Sequence, residues 1–278
     1  MVQEIFQEKD YLNYRYFYKR AYYLSVLASG LTGSKDLDGL KIEYDYLNGN
    51  QLSPILVVTQ KETDTKSPQY TINIIPSVAP NVFPPSKLHP LKNCVRPPQQ
   101  QQSAVDPSKK PTFDPTPFYN SSLAADTSYF PYLALLHSSA TTCAAFTDAC
   151  ILGRVWLRQR GFGGAMNKGG FGHFEWAITM ALLLKGGGAK GHALLTSGYS
   201  NYQMFKAMIQ FLASRDLTTS PLVLGTAGSA KISSAAYPVI FDGEHGVNVL
   251  FKMTPWSYDL VGFAHGLSLA ADWLTYNS

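Results

Sequence analysis

The chain has 278 residues, 45% hydrophobic and 15% charged, which suits one or two globular domains with a real core and excludes disorder throughout. A formal charge of +4 and a pI near 8.8 permit contact with RNA or acidic proteins without requiring it. Three cysteines without a CxxC or His-x-x-x-His pattern read as free thiols of a reducing compartment and leave structural zinc without ligands.

Along the chain, Tyr14, Phe17, Tyr18, Ala21, Leu24 and Ala28 predict an aromatic-faced helix lying on a sheet, capped by Asp10 and closed by Gly30. Leu40, Ile42, Tyr44 and Tyr46 alternate with Lys41, Glu43 and Asp45, a half-buried strand that Asn48-Gly49 turns back into a second strand at Pro54 to Thr59. A third strand is expected from Tyr70 to Ile75. Residues 84 to 118 hold nine prolines and the glutamine run 99–102, so they read as an extended excursion with the domain boundary inside it. Within it Lys87 to Arg96 is expected to be ordered, and Gln99 to Lys110 mobile.

The remainder reads as helical: Ser128 to Thr147, Asp148 to Arg160, Phe174 to Lys185 and Ser200 to Arg215. The last opens on a Ser200-Asn-Tyr-Gln203 capping box. Ile151, Leu152 and Val155 form the stripe expected to face a partner layer, with Trp156 beside it. Cys143 and Cys150, seven apart, would share a helix face as small core residues. Tyr237 to Phe241 and Val247 to Lys252 suggest a short hairpin, and a helix is expected after Pro255. The longest apolar run, Ala177 to Leu184, is far short of the ~20 residues of a membrane span, and no signal segment opens the chain. A soluble, intracellular protein without membrane contact is therefore expected.

A helix leading through Arg160-Gly161 into a glycine-rich turn and then into Phe174-Glu-Trp176 resembles the helical domain that follows the catalytic domain of poly(A) polymerases and oligoadenylate synthetases. Together with Phe6-Gln-Glu-Lys-Asp-Tyr-Leu-Asn-Tyr-Arg-Tyr16, Tyr202-Gln-Met-Phe-Lys-Ala207, Phe211-Leu-Ala-Ser-Arg-Asp216 and Leu250-Phe-Lys-Met-Thr-Pro-Trp-Ser-Tyr258, it is similar to the Nrap family over residues 4 to 260. The resemblance implies an α+β chain. A partial nucleotidyltransferase-like mixed sheet, residues 1–118, would be followed by a mainly helical poly(A) polymerase/oligoadenylate synthetase-like domain, residues 119–278. It also implies a nucleolar subunit of the small-subunit processome, a large ribonucleoprotein complex. Such a subunit would bind other processome proteins and contact pre-rRNA or snoRNA during ribosomal RNA processing. Family members are far longer, so the chain is expected to be one module pair, opening at the helix that follows the first carboxylate-bearing strand.

Nucleotidyl transfer needs clustered carboxylates holding two Mg²⁺ ions over the phosphates. By its order, Tyr70 to Pro76 resembles the strand of the third carboxylate, yet it offers Thr71 and Asn73, so no catalytic residue, metal or cofactor is expected. Gly33-Ser34 followed by Glu43-Tyr-Asp45 imitates the paired-carboxylate pattern. Without a strand before Gly33, and with Lys41 alongside, Glu43 and Asp45 read as a solvated strand face. An active template-independent nucleotidyltransferase, its remaining carboxylates lying outside this chain or at Glu43 and Asp45, is the alternative.

The glycine loops at 161–172 and 186–191 lack the phosphate-loop order Gly-Lys-Ser/Thr and read as helix terminators; an amide cradle for an RNA phosphate is the lesser reading. Lys87, Lys92 and Arg96 in the excursion, with Arg154, Arg158, Arg160 and Lys168 beside the glycine loop, are the candidate RNA or partner contacts. His173 is expected to pack or cap, and Trp156, Trp176 and Trp256 to be core.

Overall fold

The computed structural model describes residues 6–61, 70–79, 82–96, 113–186, 192–225 and 237–262. The chain forms two compact units, Met1–Thr127 and Ser128–Ser278. The glutamine segment 99–110 lies outside the described residues, as do 187–191 of the second glycine run.

In the first unit, helix α1 (Arg15–Thr32) lies on an antiparallel sheet of β1 (Leu40–Tyr46), β2 (Pro54–Gln60) and β3 (Thr71–Ile74), in that order. Leu24, Ala28 and Leu56 are its core, with Leu27, Leu31, Ile42 and Ile74 packed around them. Asn48 and Gly49 both take positive φ in the β1–β2 loop, the conformation that favours this residue pair.

Helix α1 starts later than Asp10. That carboxylate instead caps a preceding 3-10 turn, Glu8–Tyr11, by accepting from the Gln7 amide at 2.7 Å. The chain then turns through Asn13 and Tyr14, both at positive φ, before α1 begins. Gly30 does not end the helix, which runs two residues further to Thr32. The face is also rotated from expectation: Tyr16, Phe17, Arg20, Leu24 and Ala28 are buried, while Tyr18 is 70% exposed. An arginine inside the apolar stripe explains the rotation.

Arg20 is fully buried against Asp126, Nε to Oδ2 2.9 Å, with neither side chain exposed. Its Nη1 donates to the Pro54 carbonyl and its Nη2 to the Pro76 carbonyl at 3.2 Å. The Tyr16 hydroxyl donates to the same carboxylate, and Ser53 Oγ reaches the other oxygen at 3.5 Å. One guanidinium thus joins α1, the start of β2, the chain after β3 and the helix carrying Asp126.

That helix, α2 (Pro117–Thr142), begins eleven residues before the expected Ser128. Proline is well tolerated at the first helical position, so Pro117 opens the helix rather than ending the excursion. Asn120, buried in the same turn, donates to the carbonyls of His89 and Lys92 at 3.0 and 2.9 Å and holds the loop 87–96 in place.

In the second unit, α3 (Phe146–Gln159), α4 (His173–Lys185) and α5 (Asn201–Ser214) enclose the larger core. Ser200 caps α5 with the expected box, its Oγ accepting from the Gln203 amide at 3.3 Å. A small mixed sheet pairs β4 (Leu222–Leu224) parallel to β5 (Ile240–Asp242), and β5 antiparallel to β6 (Val247–Asn248). The hairpin is therefore shorter than expected, and β4 carries no alternating signal in the sequence. Residues 255–262 are helical. No helix among the described residues is long and apolar enough to cross a membrane.

Two inward assignments and one shared helix face differ from expectation. On α3 the buried face is Phe146, Ala149, Gly153, Trp156 and Leu157, whereas Ile151, Leu152 and Val155 are 52%, 37% and 48% exposed. Gly153 decides the rotation, because the Trp176 indole lies directly on it. Trp256 is 71% exposed, while Trp156 and Trp176 are core. Cys143 and Cys150 are both at least partly buried but share no helix, since α2 ends at Thr142 and α3 begins at Phe146.

Two substitutions test this account. Asp126→Ala strands a buried guanidinium and is expected to cost about 3–5 kcal/mol, with Arg20→Met/Asp126→Leu recovering much of it in urea melts. Gly153→Ala would place its methyl carbon 2.2 Å from Trp176 Cε2. It should cost about 1–3 kcal/mol and shift the tryptophan emission.

Candidate functional site

The sheet of the first unit is where carboxylate chemistry would reside. Strand register aligns Glu43 with Val57 and Val57 with Asn73, so Glu43, Asp45, Thr71 and Asn73 share one face. All four are exposed. Two strand spacings, roughly 10 Å, separate Glu43 from Asn73, with a valine between them. Lys41 Nζ stands 3.0 Å from Glu43 Oε1, both side chains more than half exposed, and Asp45 Oδ1 accepts from the Tyr46 amide at 2.7 Å. The face carries two acids on one strand and neutral oxygens on the other edge.

The cationic candidates fall into two groups. Lys87, Lys92 and Arg96 are exposed on a loop whose backbone is tied down: Arg96 donates its amide to Asn13 Oδ1 at 2.7 Å, and Asn13 donates to the Cys94 carbonyl at 2.9 Å. That ties the basic loop to the residues just before α1. In the second unit, Arg154 and Arg158 stand one turn apart on the outer face of α3, on the same side as Ile151 and Val155. Arg160 lies over the Trp156 ring, 4.4 Å from its centroid. Lys168 is exposed at the far side of the glycine loop, its carbonyl accepting from the Gly163 amide at 2.8 Å.

The glycine loop itself is consumed internally. The amides of Gly161, Phe162, Gly163, Lys168, Gly169 and Gly170 donate to backbone carbonyls of α3 or the loop, and Gly172 donates to Glu175 Oε2 at 2.9 Å. That leaves no amide cradle for a phosphate on these residues. Lys252, 3% exposed, explains the closure: its Nζ lies 2.7 Å from Glu175 Oε1 and donates to the Gly164 carbonyl at 2.6 Å. At Gly170, φ is +70° and a Cβ would meet the Lys252 carbonyl oxygen at 2.4 Å, so only glycine fits. His173 is exposed at the first residue of α4 and neither packs nor caps; Glu175 caps.

One polar cluster escaped the sequence reading. Asp242 Oδ1 accepts from the amides of Glu244 and His245 at 3.0 and 3.4 Å, and Oδ2 accepts from His245 Nδ1 at 2.6 Å. Glu244 pairs with Lys185. Glu244 and His245 border a cavity of about 990 Å³ that Ser138, Ser139, Thr142 and Cys143 also line. Asp242, Glu244 and His245 are the one set of three possible metal ligands within mutual reach among the described residues. Asp242 and His245 bond to each other within the β5–β6 turn, and Glu244 pairs with Lys185 at the end of α4. The signal that could have found them is the compact Asp242-Gly-Glu-His245 turn.

The hydrogen bond from His245 to Asp242 raises the imidazole above its ordinary pKa, opposed by burial. Its stabilisation is therefore complete below about pH 6.5, the unfolded value, and is lost as pH rises through the higher folded value. Thermal melts at pH 6 and pH 8.5 should differ by less in His245→Gln than in the parent chain.

Residues 1–142 match the family model described as Nrap protein domain 1, and residues 145–271 that described as Nrap protein PAP/OAS-like domain. The chain is 36% identical to U3 small nucleolar RNA-associated protein 22 of Saccharomyces cerevisiae, covering 94% of this chain and 23% of that protein. It is 34% identical to the Schizosaccharomyces pombe protein of the same name, over 99% and 24%. Nucleolar protein 6 of Homo sapiens is 32% identical over 97% and 23%. The chain thus spans about a quarter of the length of these relatives.

Proposed function

The chain belongs to the Nrap family, and from that premise we propose that it is a non-catalytic assembly module of a nucleolar small-subunit processome protein. Its nucleotidyltransferase-like unit and its helical unit act as surfaces for partner proteins and for pre-rRNA or snoRNA. They serve ribosomal RNA processing, and no cofactor is used. Relatives named for U3 small nucleolar RNA association and for the nucleolus support the setting.

The observation that carries the non-catalytic part is the cross-strand row Glu43, Val57, Asn73. Two divalent cations about 4 Å apart need bridging carboxylates on both sides. Here the far side offers Asn73 and Thr71, and an amide or hydroxyl adds no negative charge to balance the cations. The second reading, an active template-independent nucleotidyltransferase, is favoured by Glu43 and Asp45 standing on the same face as Asn73.

Two experiments separate these readings. Full-length protein given Mg²⁺ or Mn²⁺, labelled nucleotides and an RNA primer should yield no extension; extension abolished by Glu43→Gln or Asp45→Asn would establish the enzyme. Tagged full-length protein should co-precipitate U3 small nucleolar RNA above other small RNAs, and absence of enrichment would remove the processome assignment.

A further inference from the structure

We propose that the outer face of α1, with the basic loop 87–96 bound to its N-terminal end, is a binding surface for single-stranded RNA. This deepens the assembly reading above and rests on it. Tyr18 and Tyr22 are 70% and 72% exposed, the next turn presents Val26 at 51%, and Ser25 and Ser29 stand exposed beside them. Four residues of helix advance about 6 Å, so the two phenol rings rise along the axis in successive turns. Tyr14 extends the row, its ring 6.3 Å from that of Tyr18 and braced edge-on by Tyr119 at 4.8 Å. Each ring can take the face of one unpaired base, an interaction that is tolerant of sequence because every base has a π face.

Charge selects the occupant. Helix α1 contains Arg15, Lys19 and Arg20 and no acidic residue. Arg20 is buried with Asp126 and Lys19 pairs with Asp10 at 2.7 Å, which leaves Arg15 as the exposed cation of the helix. Arg15, Tyr18 and Tyr22 stand at i, i+3 and i+7 and so share a face. The Arg96–Asn13 and Asn13–Cys94 hydrogen bonds bring the loop of Lys87, Lys92 and Arg96 to the same end of the helix. Aromatic platforms on a helix with cations gathered at its N-terminal end are the components of a single-strand site, with phosphates on the cations and bases on the rings.

The test measures polarisation of a fluorescein-labelled single-stranded RNA of about 12 nucleotides, and of the matching duplex, with the full protein. The single strand should bind more tightly than the duplex. Tyr18→Ala/Tyr22→Ala should weaken it by about tenfold or more, and Tyr18→Phe/Tyr22→Phe, which keeps the rings, should not. Arg15→Gln and Arg96→Gln should each reduce the slope of log affinity against log salt by about 0.7. Both tyrosines are solvent-facing, so the variants should keep the parent melting temperature. Equal affinity for the alanine variant and the parent, or no affinity for the single strand, overturns the site. So does loss of a bound protein from the alanine variant with RNA affinity intact. U3 RNA co-precipitation unchanged in that variant would confine a failure to this surface and leave the assembly role standing.

Discussion

A guanidinium removed from water persists only where each of its nitrogens finds an acceptor, and in the first unit that requirement sets the architecture. Arg20 reaches a carboxylate from α2, the carbonyl of Pro54 at the start of β2 and the carbonyl of Pro76 after β3. Burial pushes the Asp126 carboxyl up, while Arg20, Tyr16 and Ser53 hold the charge in place. Such a pair adds little net stability, because desolvation offsets the attraction, but an alternative packing that separates the partners is strongly disfavoured. The pair therefore acts on specificity. It sets the rotation of α1, and with it which aromatic rings face the core and which face solvent.

The second unit uses the same device on a loop. Glu175 accepts from the Gly172 amide at the start of α4 and pairs with Lys252, whose ammonium also donates to the Gly164 carbonyl. The glycines permit the close approach, and the buried ion pair prevents it from opening. A segment rich in glycine thus has the amides of Gly161, Phe162, Gly163, Lys168, Gly169, Gly170 and Gly172 occupied by its own structure. Composition identifies a flexible loop, but only the hydrogen bonds show whether a donor remains for a ligand.

What was legible in the sequence follows from this. The Ser200 box, the β1 strand and the Asn48-Gly49 turn are local signals, settled by neighbours in the chain, and they appear where expected; the alternation of β1 holds only at Leu40 and Ile42, since Tyr44 and Tyr46 are 59% and 51% exposed. The faces of α1 and α3 were misassigned because each is decided by a contact remote in sequence: Arg20 with Asp126, and Gly153 under Trp176. Reading hydrophobicity alone, Arg20 looks like surface and Gly153 like a weak spot in a helix. The start of α2 was missed for a related reason, since prolines that exclude a helix interior also favour its first turn. The order of the β3 strand points to Thr71 and Asn73, but only the register places Val57 between Asn73 and Glu43.

The interior networks also bear on the proposed role of the fold as a surface. Binding costs side-chain and loop ordering at the interface, and that cost falls when the presenting elements are already rigid. Helix α1 is held by a buried ion pair and loop 87–96 by Asn120 and Asn13, none of which depends on an exposed side chain. Tyr18, Tyr22, Lys87, Lys92 and Arg96 are thereby presented on an ordered backbone, with their side chains in solvent. Catalysis would require the opposite economy, with charged groups crowded at one point of the sheet and neutralised by cations. A sheet whose exposed face spreads Glu43 and Asp45 away from a neutral Asn73 has no such electrostatic demand. Its outer residues can then be used for contact without disturbing the interior that positions them.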